Sequence, residues 1–164
     1  MAETKRTRTT SRSVEQRFSA QTKAEGDCLV WTGLVDGWGY GLFWSGTRLM
    51  GAHRYAWEAE RGPIPAGVEL DHQCHNRTCC NLTHLRIATR KQNAENTGMR
   101  SDNTSGHRGV IWDKQSQKWR VQVRHNGRKH SAGYFTDVLE AAEAAKSLRN
   151  ELFSFNDLDR EAGK

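Results

Sequence analysis

The segment LDHQCHNRTCCNLTHL, Leu70 to Leu85, gathers three of the chain's four cysteines and three of its seven histidines. Thiolate sulfur and imidazole nitrogen are the donors a tetrahedral zinc takes. Cys74, Cys79 or Cys80, and one of His75 or His84 lie close in this loop, and Cys28 is the remaining cysteine. Clustered thiols in a polar loop lack apolar neighbours to bury against, so they read as metal ligands before they read as core. Choosing between Cys79 and Cys80 is beyond the chemistry of the residues.

Elements must hold this loop in place. VELDH and HLRIA read as strands on either side of it, and Thr89 to Gln92 is a capping-box sequence that starts a helix carrying Asn93 and Asn96. The expected order is therefore strand, metal loop, strand, helix. Upstream, SVEQRFSAQTK places Val14 and Phe18 four apart on one helical face. CLVWTG, GYGLFW and TRLMGA are short β-type runs, and AHRYAWEAERG is a helix ended by Gly62 and Pro63. The polar stretch TGMRSDNTSGH reads as a linker. Beyond it HRGVIWD, KWRVQVRH and RKHSAGYF are three strand candidates, the last two joined by Asn126-Gly127, a hairpin signal. TDVLEAAEAAKSLRNELF then forms a helix with Val138, Ala142, Ala145, Leu148 and Leu152 on one stripe.

The 164 residues carry a formal charge of +6, with a pI near 9.4. A basic balance favours a polyanionic partner such as nucleic acid. No apolar run approaches the roughly 20 residues a membrane helix needs, and no apolar signal segment opens the chain. The expectation is a cytoplasmic protein whose thiols stay reduced. Met1 to Arg12 is basic and almost without apolar residues, an arm disordered by itself. In KWRVQVR, Trp119, Val121 and Val123 alternate with Arg120, Gln122 and Arg124. The latter face offers the groups best suited to guanine and adenine edges.

LDHQC, CCNLTHL and the following T-x-x-x-N resemble the HNH homing endonucleases of the ββα-metal superfamily. The similar branch reads D-H-x-C-x-x-x-x-C-x-N-P-x-H-L and then T-x-x-x-N. GDCLVWTGLVDGWGYGLF is similar to that family's C-x-x-W-x-G…GYG opening, and AHRYAWEAERGPIPAGVELDH to its A-H-R…G-P-I-P stretch. The resemblance implies that His72 is the general base and that Asn93 holds a divalent metal, Mg²⁺ or Mn²⁺, with Asp71 sharing it. It assigns structural zinc to Cys28, Cys74, Cys79 and His84. Cys80 stands where an aliphatic residue is usual, and Leu82 replaces a proline. Arg54, in the AHR stretch, is a candidate phosphate clamp.

SGHRGV, the tryptophan of the second strand, GYF and the Ala-rich helix resemble the AP2 DNA-binding domain. That resemblance implies a sheet entering the major groove, with Arg108, Arg120, Gln122 and Arg124 toward DNA. The expected fold is α+β: a zinc-stabilised ββα-metal nuclease core followed by a three-stranded antiparallel sheet plus helix. The expected boundaries are an arm and short helix over 1–25, the nuclease over 26–98, a linker over 99–105, the AP2-like domain over 106–155 and a tail over 156–164.

The implied function is a site-specific, metal-dependent endonuclease on double-stranded DNA, acting in a bacterial cell and encoded by a phage or other mobile element. The alternatives are a DNA-binding regulator on a decayed nuclease scaffold and a restriction or packaging nuclease. Target sequence, nicking versus double-strand cleavage, and monomer versus homodimer are not written in the residues.

Overall fold

The computed structural model describes residues 12–161; the expected arm of Met1 to Arg12, except Arg12, and the last three residues of the tail lie outside them. The chain divides into two compact units, residues 1–65 with 74–86, and residues 66–73 with 87–164.

In the first unit, helix α1 (Val14–Ser19) opens with a full capping box, Ser13 accepting from the Gln16 amide while the Gln16 side chain accepts from the Ser13 amide. Strands β1 (Thr22–Glu25) and β2 (Cys28–Trp31) pair antiparallel, as do β3 (Leu42–Trp44) and β4 (Leu49–Gly51). The sequence patterns did not suggest β1, whose four residues are mostly exposed and polar. Helix α2 (Ala52–Arg61) follows β4 and ends at Gly62, whose φ of 80° lies in the left-handed region that glycine enters without a Cβ clash.

Trp31, Phe43, Ala52, Ala56 and Cys80 form the buried core here, with Val14, Phe18 and Tyr55 packed on it. The rings of Phe18, Trp31 and Phe43 lie 5.3–5.5 Å apart, in stacked and edge-on arrangements. Gly41 permits this packing, because a Cβ there would stand 2.5 Å from the Trp31 ring.

Strands β5 (Glu69–His72) and β6 (Leu85–Ala88) form a two-stranded sheet, and α3 (Arg90–Glu95) follows, with β5 and α3 in the second unit. The α3 capping box forms as its sequence predicts: Thr89 accepts from the Gln92 amide and Gln92 Oε1 accepts from the Thr89 amide. Strands β7 (Val110–Asp113), β8 (Lys118–His125) and β9 (Arg128–Phe135) form an antiparallel sheet in the order β7-β8-β9. Asn126 and Gly127 both have positive φ, 50° and 74°, as a two-residue type I′ hairpin requires.

Helix α4 (Val138–Leu152), capped by Asp137, covers one face of the sheet, where Val110, Val121, Ala141 and Ala145 are buried with Trp119, Val138 and Leu148 against them. The stripe expected through Ala142 is thus rotated to pass through Ala141. Spacings of three and four from Val138 reach both Ala141 and Ala142, and packing decides between them: Ala141 is buried against the sheet and Ala142 is half-buried. A last helix, α5 (Asp157–Glu161), occupies residues expected to be tail.

Candidate active site and metal centre

Cys28, Cys74, Cys79 and His84 come together in the first unit, their ligand atoms all within 4.8 Å of one another. His84 Nδ1 lies 3.5 Å from Cys28 Sγ and 3.6 Å from Cys79 Sγ. Tetrahedral zinc, with Zn–S of about 2.3 Å and Zn–N of about 2.0 Å, sets sulfur and nitrogen about 3.5 Å apart. The donor set therefore fits a zinc ion in both chemistry and spacing.

The backbone explains how residues so far apart in sequence meet. Cys79 bridges Val30 of β2; the Trp31 amide donates to the Thr78 carbonyl at 2.8 Å and the Cys80 amide to the Leu29 carbonyl at 2.7 Å. Asn76 Oδ1 accepts from the Thr78 amide and hydroxyl, and the Asn81 amide points at Cys79 Sγ at 3.4 Å. Asn81 Nδ2 also donates to the Asp27 carbonyl, next to Cys28.

Burial, helped by Cys79 and Cys28 and opposed by a hydrogen bond with the Asn76 backbone, pushes the Cys74 thiol up to about 12, and burial also raises Cys28. Thiols this crowded resist ionising together unless a cation neutralises them. Cys80 takes a different place: it is 2% exposed among Trp31, Phe43, Ala52 and Ala56, and burial pushes its thiol up to about 12. The aliphatic position of the resembled family is filled here by a thiol that behaves as a small hydrophobe.

The second unit holds the other candidates. Glu69 and Asp71 are two apart on β5 and so share a face; Asn93 and Asn96 are three apart across α3. Asn93 Nδ2 donates to Glu69 Oε2, and Asn96 Nδ2 donates to Asp71 Oδ1 and Oδ2 at 3.3 and 3.0 Å. The two side-chain pairs make rungs between strand and helix. Asp71 and His72 are 5% and 6% exposed, and β5 ends at His72. Glu69 and Asn96 carried no role in the sequence reading; the signal was available in E-x-D on the strand against N-x-x-N on the helix.

Candidate DNA contacts are placed unequally. Arg54 is half-buried on α2. Arg120 lies on the outer sheet face, in a cross-strand row with Ile111 and Tyr134, and sits 3.9 Å from Asp113. Arg124 is exposed opposite Lys129, and Arg124 and Gln122 border a cavity of about 600 Å³ with Thr97 and Arg100.

Arg108 departs from expectation. It precedes β7 instead of lying in it, its side chain is 15% exposed, and it donates to the Glu95 carbonyl and Asn156 Oδ1. Its charge is spent inside the unit beside Asp159, so it does not line up with the outer-face arginines.

Residues 50–95 match the HNH endonuclease family. The chain is 42% identical to Protein 7.7 of Escherichia phage T7 over 69 residues, which are 42% of this chain and 53% of that protein. It is 37% identical to Protein 3.8 of the same phage over 100 residues, 61% of this chain and 82% of that protein. The chain thus spans about half the length of the first relative and most of the second. No solved structure matches. Among the described residues, no helix is long and apolar enough to cross a membrane. With 82% of Protein 3.8 covered at this identity, this protein belongs to the family of phage T7 Protein 3.8, and its residues 50–95 are an HNH endonuclease domain.

Proposed function

We propose that the protein is a site-specific, metal-dependent DNA endonuclease of the homing type that hydrolyses phosphodiesters to 5′-phosphate and 3′-hydroxyl ends. The observation that carries this reading is the strand–helix pair. Asp71 and His72 end a strand, and α3 turns Asn93 and Asn96 toward the carboxylates of that strand, inside the segment that matches HNH endonucleases.

In this reading the His72 imidazole accepts the proton of a water molecule as its oxygen bonds to phosphorus and the bond to the 3′ oxygen breaks. A histidine has an ordinary pKa of about 6.5, which suits it to take a proton near neutrality. Asp71 and Asn93 would hold Mg²⁺ or Mn²⁺ through oxygen. Bound there, the cation supplies positive charge against the phosphate and the departing oxygen. Cys28, Cys74, Cys79 and His84 would hold a structural zinc.

The β7-β8-β9 sheet with α4 is assigned the AP2-like role. Arg120, Gln122 and Arg124 face double-stranded DNA, and Arg54 contacts phosphate. The phage relatives support action in the cytoplasm of an infected bacterium, and the HNH endonuclease match supports DNA as the partner. Cleavage of a plasmid library with and without Mg²⁺, followed by end analysis, tests this. Metal-dependent cuts with 5′-phosphates are expected, and intact plasmid under all divalent metals overturns the reading.

A further inference from the structure

Asn96 is buried at 2% exposure and is bonded from both sides. Its Oδ1 accepts from the Asp157 backbone amide at 3.0 Å, and its Nδ2 donates to both oxygens of Asp71. Neither contact tolerates a flipped amide: the Asp157 N–H only donates, and a carboxylate only accepts. The residue before Asn96 is tied to the same segment, with Glu95 Oε2 accepting from the Ser154 amide and hydroxyl at 2.9 and 3.0 Å. Asp157 is the first residue of α5, where an N–H has no acceptor within the helix, and it donates to Asn96.

We propose that Asn96 is a positioning residue for Asp71, oriented by the Asp157 N–H, so that Ser154–Asp157 at the C-terminus forms part of the catalytic cation site. This rests on the reading of Asp71 as a ligand of a divalent cation. A carboxylate held through both oxygens by one fixed amide loses the freedom to rotate away from a cation, and removing such supporting partners typically weakens metal binding by roughly 10–100-fold. A merely space-filling Asn96 would affect folding and leave the metal affinity of the folded protein alone.

The test is Mn²⁺ binding to the full-length, zinc-loaded protein without DNA, read by electron paramagnetic resonance of the free ion, beside Mn²⁺ titrations of cleavage. Asn96→Ala removes the amide. Asp157→Pro removes the donor N–H together with the carboxylate, at a first helical position where proline is accepted, and Asp157→Ala, which loses the carboxylate but keeps the N–H, is the reference for it. Relative to wild type and to Asp157→Ala respectively, Asn96→Ala and Asp157→Pro are expected to raise the Mn²⁺ dissociation constant roughly 10-fold or more. Cleavage should recover at high Mn²⁺ in both. If Asp71→Ala lowers Mn²⁺ affinity but neither variant does, Asn96 is structural and the proposal is overturned. Should Asp71→Ala bind Mn²⁺ as wild type does, the ligand assignment itself fails and takes the proposal with it. If one variant does not fold, the other decides.

Discussion

In the proposed reading, catalysis turns on His72 and zinc binding on the cysteines. The His72→Ala protein is expected to fold, retain zinc and bind DNA while its cleavage rate falls by roughly 10²–10⁴; single-turnover rates at saturating Mg²⁺ measure this, and a near wild-type rate would remove His72 from the role of base. Cys79 and Cys80 separate metal binding from packing. Cys79→Ser should lose stoichiometric zinc and with it the folded first unit, since such sites contribute about 10–16 kcal/mol. Cys80→Ala should keep one zinc per chain and lose about 1 kcal/mol of stability from its small buried volume. Elemental analysis and thermal melts of the two variants check both. Neighbours of the same type could not be told apart in sequence, because the difference lies in tertiary pairing: the Cys79 backbone bridges Val30, and the Cys80 side chain then falls among Trp31 and Phe43.

At the scale of elements, local signals were readable where they act locally. The Thr89–Gln92 box, the Asn126-Gly127 turn and the Val121/Val123 alternation each follow from neighbours within a few residues, and each forms. What stayed hidden depends on distant partners. Strand β1 has no apolar pattern and exists because it pairs with β2. Arg108 reads as one more surface arginine until Glu95, Asn156 and Asp159 surround it. If the sheet reads DNA as proposed, its specificity therefore rests on fewer side chains than the sequence offered. Arg120→Ala and Arg124→Ala are each expected to cost about 1–3 kcal/mol on the preferred duplex, with relaxed selection at one base. Loss that is uniform across sequences, with a salt slope smaller by about 1, would make them phosphate contacts instead. Binding to cognate and random duplexes at two salt concentrations distinguishes these outcomes.

For the molecule as a whole, the 99–105 stretch lies inside one compact unit, with α3 before it and the sheet after it. That unit closes on a buried ion pair. Arg149 meets Asp159 through Nε and Nη2 at 2.6 and 2.9 Å, donates to the Arg108 carbonyl, and is itself 6% exposed. Burial pushes the Asp159 carboxyl up, but the hydrogen bonds from Arg149 and Asn156 and the charges of Arg149 and Arg108 outweigh it, and the carboxyl ends below its ordinary value. A carboxylate with a depressed folded pKa stabilises fully above its unfolded value of about 3.9. That contribution shrinks as pH falls below this value and is gone once pH has passed through the folded pKa. Asp159→Asn strips the charge at every pH and leaves Arg149 buried without its counterion, a loss of about 3–5 kcal/mol for a pair of this kind. The variant should therefore melt well below wild type at pH 7, and the gap between the two melting temperatures should begin to narrow below about pH 4 and close only as pH falls through the lowered folded pKa of Asp159. Melting curves of both proteins from pH 2 to 7 measure it. A gap that stays constant across that range would mean that the charge on Asp159 does not hold α4 to α5.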